Sequence, residues 1–194
     1  MEEPKVKQMF QLMEKDIEIQ NTLRMSNVMA VERLVRLLVM QGQLVQAVEV
    51  CTEMLNASTG PNVQGKQQAL LSDMSWAIMS NVLYERNQLV DAEMYVRQGI
   101  KQARRGGFFQ SLVFGQILLA RILQARGDTD GANMMLQAAI KSCQMNPTQW
   151  FHMAVDACQV QLWLAQQAFD AAYRWAQEIS LSADVELNPI NEFE

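Results

Sequence analysis

Apolar residues recur along this chain at intervals of three and four positions, which is the spacing of one face of an α-helix. The first clear run, Leu34, Leu37, Leu38 and Gln41, ends at Gly42. Equivalent runs contain Trp76, Met79, Ser80 and Leu83, and then Gln116, Leu119, Ala120 and Leu123. This periodicity predicts helices at 5–22, 27–41, 44–57, 67–87, 89–105, 108–126, 129–145, 149–166 and 169–181.

Four segments of the chain resemble one another. They are MQGQLVQAVEV at 40–50, ERNQLVDAEMY at 85–95, ARGDTDGANMM at 125–135 and AQQAFDAAYRW at 165–175. Each has a turn-like residue five positions before an alanine, and successive alanines are separated by 45, 40 and 40 residues. Gly or Asn accepts the left-handed backbone that ends a helix, and alanine is small enough to lie where two paired helices approach most closely. The structural anchors are therefore Gly42 and Ala47, Asn87 and Ala92, Gly127 and Ala132, and Gln167 and Ala172.

These repeats predict an all-α fold, a right-handed solenoid of antiparallel helix pairs. We expect an N-terminal helix over 1–26, interpreted as half of a preceding repeat, and four helix pairs over 27–181. Residues 182–194 are predicted to be a C-terminal tail or a truncated next helix. Gly60, Pro61 and Gly65 predict a loop over 58–66, and Thr148 is predicted to cap the helix that follows it.

The composition agrees with a helical fold and limits what the chain binds. Only 9 glycines and 4 prolines occur in 194 residues, too few for the many turns of a β protein. The net charge of −5 predicts no direct nucleic-acid binding by this chain. The one dense basic cluster, Lys101, Arg104 and Arg105, precedes two glycines. We interpret it as cations that complement a helix dipole, with a phosphate site as the alternative.

The cysteines and the hydropathy pattern predict a cytoplasmic protein. Cys51, Cys143 and Cys158 have no CxxC spacing, which indicates reduced thiols on buried helix faces. The N-terminus has no apolar run of the signal-peptide type. The most hydrophobic stretch, 112–125, is interrupted by Gln116 and Arg121, so we expect no membrane association.

Motifs that carry chemistry are weak in this sequence. The segment 60–67 has the glycine and lysine spacing of a P-loop, but Gln67 stands where Ser or Thr would bind Mg²⁺. Asp128 resembles the start of a calcium loop but is better interpreted as a helix N-cap. His152 is the only histidine and has no cluster of ligands or nucleophile partner around it. We therefore expect no enzyme activity, no cofactor and no metal.

The repeats resemble a known family. The stretch from Asn81 to Ala132, and the later WLAQQAFDAAYRWAQEISLSADVEL at 163–187, are similar to the tetratricopeptide-like region of MalT-like, LuxR-type ATP-dependent transcriptional activators of bacteria. The resemblance covers nearly the whole chain after about Asn27. The period of about forty is longer than the usual 34, and the closing proline is absent. The position twelve residues before each anchor alanine, usually small, reads Val35, Ser80, Ala120 and Val160.

The resemblance implies a function. In that family the helical region lies between an N-terminal NTPase module and a C-terminal helix-turn-helix, receives an inducer and promotes self-association. This chain has neither module, so we expect both in the full-length protein and interpret the chain as an excised domain or fragment. The predicted partners are a small-molecule inducer or a peptide, and a second copy of the chain. A protein-interaction scaffold unrelated to transcription, and a structural spacer, are the alternatives.

Counting back from the anchor alanines predicts where such a partner binds. In stacked helix pairs the first helix of each pair lines the concave groove, and the position eleven residues before each anchor is polar in all four repeats. An ordinary solvated face is the alternative. The predicted groove residues are Arg36, Asn81, Tyr84, Glu85, Arg121, Gln124 and Gln161.

The last helix pair carries three large aromatic residues, Trp163, Phe169 and Trp175. Repeat arrays need polar terminal repeats for solubility, and this pair lacks such a polar cap. We therefore expect the aromatic residues to leave apolar surface exposed and to support self-association through an end of the solenoid.

Overall fold

The computed structural model describes residues 20–58, 65–145 and 149–178, and every regular element in these ranges is an α-helix. The all-α prediction is thus confirmed for the described part of the chain. The helices are α1 (Gln20–Met40), α2 (Leu44–Ser58), α3 (Gly65–Glu85), α4 (Leu89–Gly106), α5 (Phe109–Ala125), α6 (Thr129–Met145), α7 (Gln149–Ala165) and α8 (Phe169–Glu178).

The helices pair through short turns and stack in chain order, which confirms the predicted solenoid. Three residues separate α1 from α2, α3 from α4, α5 from α6 and α7 from α8. Each helix packs on its neighbours in sequence, and the odd-numbered helices also pack on one another, α1 on α3, α3 on α5 and α5 on α7. In the described residues no two even-numbered helices approach as closely. Because a curved stack spaces its inner layer more tightly, the odd-numbered helices form the inner layer.

Helices of the inner layer and even-numbered helices bury different parts of their surfaces. An even-numbered helix buries one stripe, which in α4 consists of Ala92, Val96, Gly99, Ile100 and Ala103. Helix α5 instead buries residues around most of its circumference, because α3, α4, α6 and α7 all pack on it. A helix that is apolar on most sides is one that lies inside the protein.

All four turns within the pairs have the same backbone geometry. Gly42, Asn87, Gly127 and Gln167 have positive φ angles of 73°, 59°, 84° and 59°. At each turn the following N–H donates to the carbonyl five residues earlier, and the positive-φ residue donates to the carbonyl three residues earlier. These two bonds define the Schellman motif. The predicted left-handed turn residues are therefore confirmed in every repeat, including Gln167, whose side chain does not favour this conformation.

The anchor alanines are buried where the paired helices meet. Ala47, Ala92 and Ala132 have no exposed surface, and Ala172 is 8% exposed. In the second repeat Ser80 is also fully buried, and its hydroxyl donates a 2.7 Å hydrogen bond to the carbonyl oxygen of Ala92. The small residues therefore bring the two backbones of each pair into close contact, as predicted.

Two helix starts differ from the prediction by more than one residue. Helix α1 continues through residues 23–26, where the sequence predicted a break between two helices. This segment contains no glycine or proline, so nothing in it interrupts helical hydrogen bonding. Helix α3 begins at Gly65, which was predicted to lie in the loop; glycine is tolerated at a helix start because the first N–H groups lack intrahelical partners.

Several predictions fall on residues outside the described ranges. They concern the helix over 5–22 before Gln20, the loop segment 59–64 with its P-loop-like spacing, the Thr148 cap and the tail over 182–194. The division of the chain at residues 26 and 182 also stays a prediction.

Replacing an anchor alanine is expected to destabilise the fold. In Ala132→Leu the larger side chain cannot fit between α5 and α6, and overpacking of this kind costs roughly 1–3 kcal/mol. Chemical denaturation followed by circular dichroism measures the loss. Ala125→Leu, at an exposed position of α5, serves as the control and should be near neutral. Equal stability of the two variants would contradict the helix register that places Ala132 between α5 and α6.

The turn geometry yields a second expected outcome. A Cβ at Gly127 would meet no atom within 4 Å, so Gly127→Ala should destabilise only through its positive φ, by roughly 1–2 kcal/mol. Gly127→Asn should cost less, because Asn87 adopts the same conformation in the preceding repeat. Thermal unfolding of the two variants and the parent ranks them. An alanine variant as stable as the parent would contradict the left-handed turn.

Candidate functional site

The predicted groove residues lie on the odd-numbered helices and hence in the inner layer. Three of them make direct contacts across two repeats. The Arg121 guanidinium of α5 lies 4.7 Å from the centre of the Tyr84 ring of α3. A guanidinium nitrogen of Arg121 is 3.9 Å from a carboxylate oxygen of Glu85. The structure therefore brings Tyr84, Glu85 and Arg121 together as one cluster, which we call the arginine cluster.

Arg121 contacts Tyr84 and Glu85, but these contacts leave its N–H donors without hydrogen-bond acceptors among the described residues. The 3.9 Å separation from Glu85 exceeds the length of a hydrogen bond, and a cation–π contact uses the face of the guanidinium rather than its N–H groups. Within the described residues Arg121 donates no hydrogen bond. Its side chain is 31% exposed, so its donors are available to a molecule in the groove.

A buried thiol lies beside the arginine cluster. Cys158 of α7 is 2% exposed, and burial raises its pKa to about 11, although the positive charge of Arg121 partly opposes that shift. Its sulfur is 3.9 Å from the carbonyl oxygen of Ile117. Arg121 therefore faces both α3 and α7, and the thiol beneath it is protonated at neutral pH.

The other predicted groove residues are not part of this cluster. Arg36 pairs with Glu32 on its own helix at 2.6 Å and its side chain is 72% exposed. Asn81 and Gln161 occupy the repeat position of Arg121 on α3 and α7, and neither makes a hydrogen bond or ion pair with the described residues. They extend a polar row along the inner surface.

Gln124 belongs to a different network near the turns. Its side-chain oxygen accepts a 2.8 Å hydrogen bond from Gln166, which also donates to Asn133 at 3.2 Å. Gln124 therefore connects the third repeat to the fourth, and its amide oxygen is already occupied.

The inner surface also contains an apolar region that the sequence reasoning did not include. Phe114 of α5 is 39% exposed and packs edge-on against Phe151 of α7, with ring centres 5.7 Å apart. Met153 of α7 is 58% exposed. The signal was in the sequence, because Phe114 precedes Arg121 by seven residues and so lies two helical turns away on the same face.

A recurring contact between repeats was also missed. At the last two junctions between repeats, the residue six positions before the anchor contacts the residue just after the anchor of the preceding repeat. In this way Arg126 pairs with Glu93, and Gln166 donates to Asn133. Glu93 is also bound by Arg97, 2.8 Å away. Comparing these two repeat positions, −6 and +1, would have revealed complementary side chains before the structure was known.

The Asp128 interpretation is confirmed. Its carboxylate accepts a 2.9 Å hydrogen bond from the backbone N–H of Gly131, which is the geometry of a helix N-cap. In the described ranges, no group of three or more His, Cys, Asp or Glu side chains is placed to hold a metal ion. None of the described helices has the length and apolar character needed to cross a bilayer.

The end of the described solenoid is partly apolar. Phe169 and Tyr173 of α8 are 60% and 64% exposed. Trp163 and Trp175 are half-buried and line a shallow depression that also includes Arg174. This depression is distant in sequence from the arginine cluster, and we assign the candidate site to the cluster because its charged and aromatic groups converge there.

The comparisons with known proteins agree with the repeat geometry. The family model of the MalT-like TPR region matches residues 2–194. The chain belongs to that family. No curated protein and no solved structure matched the chain. The helix pairs, their anchor alanines and the inner layer with the arginine cluster all lie within the residues that match this family.

The cysteines of this MalT-like TPR region should be unreactive while it is folded. Burial raises the pKa of Cys51 to about 12 and that of Cys158 to about 11, and it also raises the pKa of Cys143. At pH 8 a thiol of pKa 11 is ionised in about one molecule in a thousand. Ellman's reagent should therefore react slowly until denaturant is added.

The raised pKa values of these thiols also determine how the stability of the fold changes with pH. The ordinary thiol pKa is 9.0, below the folded values, so unfolded chains lose these protons first as the pH rises. The buried, protonated thiols therefore make their full contribution to the free energy of unfolding below pH 9. That contribution is lost as the pH increases toward 11 and 12. Rapid labelling of the folded protein at pH 8 would contradict the burial of these thiols.

Proposed function

We propose that this MalT-like TPR region binds a ligand on its inner surface and serves as the inducer-sensing domain of a bacterial transcriptional regulator. The observation that carries the proposal is the arginine cluster, in which Arg121 is positioned by Tyr84 and Glu85 but makes no hydrogen bond with the described residues. Asn81 and Gln161 supply further polar groups at the same repeat position on the flanking helices. Groups of this kind bind hydroxyl, carbonyl and carboxylate groups of ligands.

The proposed role also includes the rest of a longer protein. In this view an NTPase module and a helix-turn-helix lie in the same full-length chain, and ligand binding here changes how copies associate. The exposed Phe169 and Tyr173 at the end of the solenoid favour this self-association. A peptide or partner protein is the second candidate ligand, favoured by the exposed Phe114 and Met153 next to the polar row.

A thermal-shift screen of sugars and other metabolites tests the proposal, because a ligand that binds only the folded state raises its melting temperature. For a ligand found in this way, Arg121→Ala and Asn81→Ala should each weaken binding, by about tenfold for the arginine. Calorimetric titration measures the affinities, and light scattering of the same samples reports association.

Arg104→Ala is the matched control, since it removes an exposed arginine from α4, outside the inner layer. Its affinity for the ligand should equal that of the parent. If the ligand bound Arg121→Ala and Asn81→Ala with parental affinity while circular dichroism showed an intact fold, the inner surface would not be the binding site.

A further inference from the structure

Along α5 the inner surface changes from apolar to polar. On α5, Phe114, Ile117, Arg121 and Gln124 follow one another at helical spacing on one face. Phe114 and Arg121 are separated by two turns, about 10 Å along the helix axis. The exposed aromatic ring of Phe114 and the charge of Arg121 therefore lie at opposite ends of a single short strip.

The neighbouring helices continue this pattern. On α7, Met153 is 58% exposed and is followed four and eight residues later by Ala157 and Gln161. Ala77 of α3 and Ala157 of α7 occupy the repeat position of Ile117. The partly buried Ile117 therefore lies between two small residues and forms the middle of an apolar strip that begins at the exposed Phe114.

The polar end of the groove fits an anion better than a neutral group. The face of the Arg121 guanidinium is covered by Tyr84, but its N–H edge makes no hydrogen bond with the described residues. That edge matches the two oxygens of a carboxylate, which accept two parallel N–H bonds. Glu85, at 3.9 Å, is the only acidic group paired with Arg121 in the described part of the chain, and it would compete with such a ligand.

We infer that the inner surface binds a ligand in which a carboxylate is joined to an apolar body. The carboxylate binds Arg121 in place of Glu85, and the body lies over Ile117 toward Phe114 and Met153. This inference rests on the proposed function and specifies its ligand class. Two sources have this chemistry: a free small-molecule acid, and a peptide that ends in apolar residues and a C-terminal carboxylate.

Octanoate is the first probe, because its length is similar to the distance between Phe114 and Arg121. Octanol keeps the apolar body without the charge, and acetate keeps the charge without the body. We expect octanoate to bind about tenfold more tightly than octanol, as for a hydrogen bond to a charged group, and acetate to bind most weakly. NMR spectra of labelled methyl groups should show shifts at Ile117 and Met153 during the octanoate titration.

Two substitutions should move the octanoate affinity in opposite directions. Arg121→Gln removes the charge and should reduce the preference for octanoate over octanol to near one. Glu85→Gln removes the competing carboxylate and should strengthen octanoate binding without changing octanol binding. Arg104→Gln, an equal loss of charge on α4, should change neither. A purely structural role of Arg121 would weaken both probes together and would leave Glu85→Gln without effect.

A pair of short apolar peptides distinguishes the two sources. One peptide has a free C-terminal carboxylate and the other has a C-terminal amide. Tighter binding of the acid peptide than of octanoate identifies a protein partner, and the reverse order identifies a small acid; both outcomes support the carboxylate. Equal binding of octanoate and octanol, together with equal binding of the acid and amide peptides, overturns it.

The same experiments separate this inference from the proposed function. If no probe shifts the Ile117 or Met153 signals, the ligand class is wrong. The proposed function still holds if a ligand from the metabolite screen loses affinity in Asn81→Ala. It fails only if that ligand is insensitive to both Asn81→Ala and Arg121→Ala.

Discussion

The close approach of two helices at each anchor alanine is the contact on which the rest of this solenoid depends. Ala47, Ala92 and Ala132 have no exposed surface, so no larger side chain fits at those crossings. A three-residue turn connects helices this close only because one residue adopts a left-handed backbone and the Schellman bonds satisfy the last carbonyls. The orientation of each pair, and hence the composition of the inner layer, follows from this contact.

The arginine cluster is a consequence of that layering rather than a source of stability. Arg121 of the third repeat meets Tyr84 and Glu85 of the second because α3 packs directly on α5. A partly exposed cation–π contact contributes about 0.5–1 kcal/mol. An ion pair with solvent access contributes still less in most cases. Both contacts of Arg121 are therefore weak enough for a ligand to replace one of them. A residue that binds a ligand needs partners that can be displaced in this way.

Contacts between repeats explain how binding in the groove would affect the whole array. In repeat proteins the stability is approximately a sum of repeats and nearest-neighbour interfaces. Here the interfaces include Arg126 with Glu93 and Gln166 with Asn133, both near the turns. A ligand that contacts α3, α5 and α7 would add a second set of contacts on the inner side, and so would couple three repeats that otherwise interact only in succession.

The sequence by itself determined the helix pairs, the left-handed turn residues and the buried alanines, because each depends on local backbone preference or on side-chain size at one position. It also indicated the polar row on the inner face. It missed the continuity of α1 through residues 23–26, since weak periodicity does not show where a helix ends. Only the tertiary structure decided that Arg121 meets Tyr84 and Glu85 and that Phe114 packs against Phe151 of the next repeat. Those contacts depend on the spacing between stacked repeats, a distance that no single repeat encodes.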